Sequence, residues 1–163
     1  MDLAKAVRDP WVWGQLGLVL VIALVAPLAP RYINLGSVDF LLNRVDHVWI
    51  RSMGAGLMIG GALIMLSGVR SLGRSLTPGT EPLAGAELVT TGAYSRRRHP
   101  MYAGAVLLLS GYTLAWSNWT LALIAGGVAL WFFEAKARRE ERWLQARFPD
   151  YERYRRHVPR RLF

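Results

Sequence analysis

The stretch LVTTGAYSRRRHPMY, from Leu88 to Tyr102, places a His-Pro pair, three consecutive arginines and two tyrosines directly ahead of an apolar segment. Proline has no amide to donate, and its fixed φ suits the first helical position, so a helix is predicted to begin at His99-Pro100. The free amides of its first turn, and the positive end of its dipole, then lie beside His99 and Arg96, Arg97 and Arg98. A helix start of this kind is a seat for a carboxylate or a phosphate. Tyr102 adds a hydroxyl within the first turn, and Tyr94 folds back over the same place from just upstream. Gly92 breaks the chain before the helix. Farther along, Glu140 and Glu141 return a carboxylate pair just past the last apolar segment. Charged groups at the ends of membrane helices are costly unless they bind something polar there.

The rest of the sequence fits that setting. The chain has 163 residues, 53% of them hydrophobic, and a formal net charge of +9. The two properties are segregated: apolar residues fall into blocks, and 10 of the 20 Lys and Arg lie from Lys136 onward. The blocks run from Trp11 to Ala29, from about Val48 to Val69, from Met101 to Trp116 and from Trp119 to Phe133. The first two are long enough to span a bilayer. The last two are short and separated only by Ser117-Asn118, so they read as a tight helical hairpin that stops short of the far surface. Neither has a polar face to show to water.

The expected fold is therefore an all-α integral membrane protein. It has about four transmembrane helices, the last two a short hairpin, and a cytoplasmic C-terminal helix, all in a single domain over 1–163. Six of the seven tryptophans sit near block ends, as an aromatic belt requires. Lys and Arg are sparse between Arg31 and His47 and dense between Arg70 and Arg98 and in the tail. That asymmetry places both termini and the basic central loop in the cytoplasm. Gly54, Gly56, Gly60, Gly61 and Gly68 suit the second block to close helix packing; Gly56 and Gly60 among them form a GxxxG pattern, read mainly as a packing face within the chain and more weakly as a dimer face, and Gly126-Gly127 reads as a packing face too. The absence of cysteine excludes disulfides, thiolate metal sites and a Cys nucleophile. No metal site is expected. The basic charge comes with no nucleic-acid-binding motif, so membrane lipids rather than nucleic acid are its expected partner.

After Phe133 the sequence EAKARREERWLQARF is charged and helical, with Lys136 and Glu140 sharing a face, and its plainest account is a solvated, salt-bridged extension of the fourth helix. Leu144 and Phe148 make an apolar edge for resting on a membrane, and Tyr151, Tyr154 and His157 read as interface anchors. Glu141 reads equally as a surface salt bridge.

Taken together, LVTTGAY, SRR, RHPMYAG, RREERWLQARF and YERYRRHVP resemble the integral-membrane methyltransferases typified by isoprenylcysteine carboxyl methyltransferase, a group that includes phospholipid methyltransferases. The resemblance covers roughly Leu72 to Pro159, with the catalytic part at about 72–159. It implies S-adenosylmethionine in a cytoplasmic pocket open sideways to lipid, and a lipophilic small molecule or lipid as the methyl acceptor. By position it places cofactor contacts on Ala86, Glu87, Leu88 and Val89, on Tyr94, on His99, Pro100, Met101 and Tyr102, and on Glu140. The tail then folds back as a lid. The family's substrate-holding arginine corresponds to Lys136, with Arg138 as a possible substitute; lysine lacks the bidentate fork, which weakens the case for a carboxylate acceptor. The family's Gly-Pro-Tyr is Gly92-Ala93-Tyr94 here. Two other readings stand beside this one: an NADPH-dependent, sterol-reductase-like enzyme, and a non-enzymatic membrane anchor whose basic tail binds anionic lipid.

Overall fold

The computed structural model describes residues 8–29, 47–77, 79–81, 85–116 and 119–163. Five α-helices and no strand fall within them: α1 (Pro10–Val25), α2 (His47–Leu72), α3 (Pro100–Ala115), α4 (Trp119–Arg147) and α5 (Tyr151–His157). Short 3-10 turns occupy Gly73–Ser75 and Gly92–Ser95. Lys5, the connection bearing Arg31 and Arg44, the turn formers Pro78 and Pro82, and the Ser117-Asn118 turn lie outside the described residues.

Local chemistry explains where these helices start. In α1, Pro10 occupies the first turn and the Asp9 side chain caps it, accepting from the Trp11 amide at 3.0 Å. The other Asp9 oxygen accepts from the amide and hydroxyl of Thr80, at 2.7 and 2.9 Å, and so ties α1 to the loop after α2. Burial pushes the Asp9 carboxyl upward, but these hydrogen bonds outweigh it and the net shift is downward. As expected, α3 starts at Pro100.

The fourth helix corrects the expectation of a short matched hairpin. α3 has 16 residues, whereas α4 runs unbroken for 29, a rod of about 43 Å. After Gly127 neither Gly nor Pro interrupts it until Pro149, so the charged segment simply continues the apolar one. The separate C-terminal helix is the much shorter α5.

Packing between α2 and α3 rests on glycine, though not on the GxxxG pair. Gly56 and Gly60 face open space. The seam instead uses Gly54 and Gly61 from α2 against Gly111 and Gly104 from α3. A Cβ added at Gly61 would stand 2.7 Å from the Gly104 carbonyl oxygen, and one at Gly111 would stand 2.6 Å from that of Gly54. Seven-residue spacing keeps each pair on one face over two turns, and the missing side chains let the backbones touch. Gly126 abuts the Ser110 hydroxyl, while Gly127 contacts nothing.

The outer surface is apolar. Leu16, Leu20 and Leu24 on α1, Ile59 and Leu63 on α2, and Leu123, Ile124 and Trp131 on α4 are all exposed. So are Trp13, Trp49 and Trp116, which are therefore not core residues. A girdle this extensive is what a lipid-facing surface requires. Among the described residues two segments, Val48–Ser75 and Trp119–Arg147, are long and apolar enough to cross a membrane, whereas α1, from the block expected to span, is apolar but shorter, as is α3.

The seam makes a clear prediction for unfolding in detergent. Gly61→Ala or Gly104→Ala forces backbone apart and should cost about 1–3 kcal/mol. Gly56→Ala and Gly60→Ala should be neutral or gain up to about 1 kcal/mol from helix propensity. Equal effects from both pairs would refute the assignment of the seam.

Candidate functional site

The start of α3 is held by the chain's C-terminal segment rather than by a side-chain cap. The amides of Arg98 and His99 donate to the carbonyls of Arg160 and Arg161, both at 2.9 Å. The Arg98 guanidinium donates to the carbonyls of Val158 and Pro159 at 2.7 and 2.8 Å, and Arg97 reaches that of Leu162 at 3.2 Å. Leu162 is buried against Ala103, Val106, Phe133 and Ala137. Of the three consecutive arginines, Arg96 is exposed, Arg97 is half-buried and Arg98 is buried.

At the centre of this junction stands Glu141, only 4% exposed and so not a surface salt bridge. Its Oε1 accepts from Arg98 Nε at 2.8 Å and Arg161 Nε at 3.1 Å, and lies 3.3 Å from His99 Nε2. Arg161 also pairs with Glu134. Glu140, one residue earlier, points elsewhere: its Oε2 accepts from the Tyr102 hydroxyl at 2.6 Å and lies 3.6 Å from His99 Nδ1. The His99 ring thus sits between two carboxylates and stacks on Tyr102, with centroids 5.2 Å apart and planes within 5°. Tyr102 in turn stacks on Phe133.

A cleft opens in front of this arrangement. Ala86, Glu87, Leu88, Val89, Tyr94, His99 and Glu140 all line it, brought together from three separate segments. Ser75 holds the Ala86–Val89 stretch in place through Glu87 at 3.4 Å. Tyr94 is set by the 3-10 turn that Gly92 opens. Gly92 has φ +63°, and a side chain there would collide with the Ser71 hydroxyl, which instead receives the Ala93 amide at 3.1 Å.

Other expected contacts are placed differently. Pro100 is buried, Met101 is pressed against Gly68 of α2, and Tyr102 lies behind His99; none of the three lines the cleft. Lys136 is buried one turn below Glu140, with its Nζ 2.6 Å from Gln15 Oε1 and 5.4 Å from the Tyr102 ring centroid. Arg138 faces away on an exposed side, paired with Glu134 at 3.6 Å.

Sequence reasoning missed several walls of the cleft. Leu144 and Phe148, expected to rest on a membrane, line it instead, as do Leu72, Arg98, Tyr151 and Tyr154. Tyr151 and Tyr154 are buried rather than interface anchors; His157 is exposed, its Nδ1 2.7 Å from the Arg153 carbonyl. The i, i+3 spacing of the two tyrosines was the available signal, since it puts both on one face of α5. The lining combines apolar side chains, Leu72, Leu88, Leu144 and Phe148, with polar ones that include Ser75, Thr77, Arg98, His99 and Glu140. No group of acidic or His residues suited to a metal ion occurs among the described residues.

Buried phenols mark the same region. Burial, followed by the Glu140 charge, pushes Tyr94 well above the ordinary tyrosine range. Tyr154, whose hydroxyl donates to the Tyr94 carbonyl at 2.7 Å, is pushed from 10.0 up to about 12, mainly by burial. A raised folded-state value means that its stabilisation is complete below pH 10 and is lost as pH rises through about 12.

Two measurements follow from this geometry. Glu141→Ala leaves Arg98 buried without its carboxylate and should cost about 3–5 kcal/mol in denaturant unfolding; a loss below 1 kcal/mol would contradict the role given to Glu141. Phenolate absorbance of the folded protein should contain a step near pH 12 that is missing in Tyr154→Phe. Titration of that step at the ordinary value would contradict the buried hydrogen bond.

The profile of a family described as phospholipid methyltransferase matches residues 49–151. The chain is 29% identical over 129 residues to protein-S-isoprenylcysteine O-methyltransferase B of Arabidopsis thaliana, an alignment covering 77% of this chain and 65% of that protein. It is also 29% identical over 124 residues to the protein-S-isoprenylcysteine O-methyltransferase of Schizosaccharomyces pombe, covering 74% and 52%. A shorter match, 36% identical over 73 residues, is to the nickel-cobalt-cadmium resistance protein NccN of Alcaligenes xylosoxydans xylosoxydans, covering 45% of this chain and 34% of that one. The chain thus spans 65% and 52% of the lengths of the two methyltransferases.

Proposed function

The chain belongs to the phospholipid methyltransferase family, and on that premise we propose that it transfers a methyl group from S-adenosylmethionine to a lipophilic acceptor at the cytoplasmic face of a membrane. The observation that carries this reading is the convergence of Ala86–Val89, Tyr94, His99 and Glu140 on one cleft. The reading takes 1–163 as one unit, with its catalytic part over about 72–159. It takes α1 to α4 as four crossings, with both termini and the cleft on the cytoplasmic side. It also excludes nucleic acid as a partner and takes lipid as the surrounding medium.

The lining suits the cofactor chemically. Leu72, Leu88, Leu144 and Phe148 suit a purine, and Arg98, His99 and Glu140 suit an amino-acid group carrying both charges. When bound, S-adenosylmethionine supplies an electrophilic methyl on a sulfonium. The chain's residues then position and desolvate. His99 and Arg98 would hold the carboxylate of the bound cofactor, Glu140 would accept from its amine or a ribose hydroxyl, and the Tyr102 hydroxyl fixes the Glu140 rotamer. The cleft is narrow, with about 70 Å³ of space, so its walls would have to part to admit the cofactor. Stripping water from the nucleophile and aligning it provide the remaining acceleration.

Lys136 is the cation nearest to Glu140 along the inner face of α4, and we assign it to the acceptor. Its compact charge on a flexible stem does not grip a carboxylate bidentately, so the acceptor class extends to thiols and amines as well as acids. For those, proton removal falls to His99 or Glu140. Arg138 has no part in this assignment.

The test is calorimetric titration of the detergent-purified protein with S-adenosylhomocysteine, with NADPH as a control ligand. Saturable binding of S-adenosylhomocysteine is expected, weakened at least tenfold by His99→Ala and by Glu140→Ala. A folded sample that binds NADPH but not S-adenosylhomocysteine, or neither, would sink the methyltransferase reading.

A further inference from the structure

Tyr151 and Tyr154 sit one turn apart on α5 and both line the cleft, but their hydroxyls are treated differently. Tyr154 donates to the Tyr94 carbonyl at 2.7 Å. Tyr151 is only 1% exposed, and its hydroxyl has no hydrogen-bond partner among the described residues. A buried hydroxyl left without a partner is destabilising and uncommon in native structures, and a functional role is one of the few reasons it is retained. Replacing tyrosine by phenylalanine would remove that penalty without leaving a hole, so packing alone does not explain the oxygen.

The surroundings indicate what the hydroxyl awaits. Its ring packs in a cluster with Leu88, Leu144 and Phe148, and meets the Tyr154 ring edge-on at 5.9 Å. Arg98 and His99 line the same cleft as Tyr151, and the charges that act on the phenol most strongly are those of Glu141 and Arg98. Burial first, and the Glu141 charge second, keep the phenol protonated far beyond neutral pH, so it is available as a donor. The nearby Glu141 Oε1 is already engaged by Arg98, His99 and Arg161. A donor beside Arg98 and His99 suits an anionic acceptor, because a hydrogen bond to a charged group is the stronger kind.

We propose that the Tyr151 hydroxyl is a cofactor-binding donor, held for the carboxylate at the methionyl end of S-adenosylmethionine. This rests on the methyltransferase reading above and adds a residue to its binding set. The arrangement couples an unfavourable free state to a favourable bound one, so deleting a single oxygen should move stability and affinity in opposite directions.

The experiment is Tyr151→Phe, studied as the full chain in detergent with two ligands. S-adenosylhomocysteine carries the amino-acid group, and 5′-methylthioadenosine keeps the nucleoside but lacks it. The melting temperature of the ligand-free variant should rise. Its Kd for S-adenosylhomocysteine should weaken about tenfold, while its Kd for 5′-methylthioadenosine stays within about twofold of the wild type. Tyr154→Phe, which removes a satisfied hydrogen bond, should instead lower the melting temperature. A lower melting temperature for Tyr151→Phe would mean that the hydroxyl has a partner in the free protein, and would overturn the proposal. So would unchanged binding of S-adenosylhomocysteine, or an equal loss for both ligands, which would put the hydroxyl on the nucleoside. If the wild-type protein binds neither ligand, the methyltransferase reading fails as well; if it binds both and the variant matches it, only the role of Tyr151 fails.

Discussion

One buried carboxylate organises the molecule. Glu141 takes Arg98 from the start of α3, Arg161 from the C-terminal segment and an edge of the His99 ring onto a single oxygen. Burying Arg98 unpaired would be costly, and so would burying Glu141 unpaired. Neither cost arises while all the partners are present, so the three elements dock together or not at all. The carbonyls of Val158 to Arg161 complete the arrangement by accepting from Arg98 Nη1 and from the two amides ahead of α3. His99 and Glu140 inherit their positions from this lock. Tyr102 then links the two, stacking on one and donating to the other.

Two kinds of contact surround the lock and do different work. The α2–α3 seam is backbone against backbone through Gly54, Gly61, Gly104 and Gly111, and it tolerates no displacement. α4 instead brings its side chains to the site along one unbroken rod, with Phe133, Lys136 and Glu140 stacked on successive turns of its inner face. The fixed pair supplies the wall from which His99 projects, and the rod supplies the opposing carboxylates.

Much of this was legible in the sequence, and the parts that were not have identifiable causes. Pro100 fixes a helix start from a rule about one residue's own backbone, and the structure begins α3 there. The apolar blocks were visible because their composition is local. The short hairpin with a separate charged helix was the wrong one of two readings of α4, because a change from apolar to charged residues resembles a boundary; the other, a charged extension of the same helix, is what forms. Glu140 and Glu141 were hard to separate because neighbours on a helix point about 100° apart, and only the partners across the fold show which direction is inward. The same limit hid Leu144 and Phe148, whose apolar edge meets the cleft rather than a membrane. The glycines of the second block were legible as packing residues, and Gly54, Gly61 and Gly68 do meet α3; the GxxxG pair among them faces open space because only the neighbouring helix decides which side is inward. Tyr151 was visible as a residue, but a missing hydrogen bond exists only in three dimensions.

The tail's grip on Arg98 also has a bearing on biosynthesis. The partners of this guanidinium lie 43 residues later at Glu141 and 60 residues later at Val158. At about 5–20 residues per second, a ribosome needs roughly 2–9 s to supply the first and about 3–12 s to supply the second. Through that interval a permanent cation stands at the mouth of an apolar helix with nothing to neutralise it. The nascent chain must therefore hold the start of α3 at the water boundary until α4 and the residues after α5 have been made. A chain halted before Val158 carries every residue that lines the cleft but lacks the carbonyls that hold Arg98 and His99, so the site is among the last parts of the fold to close.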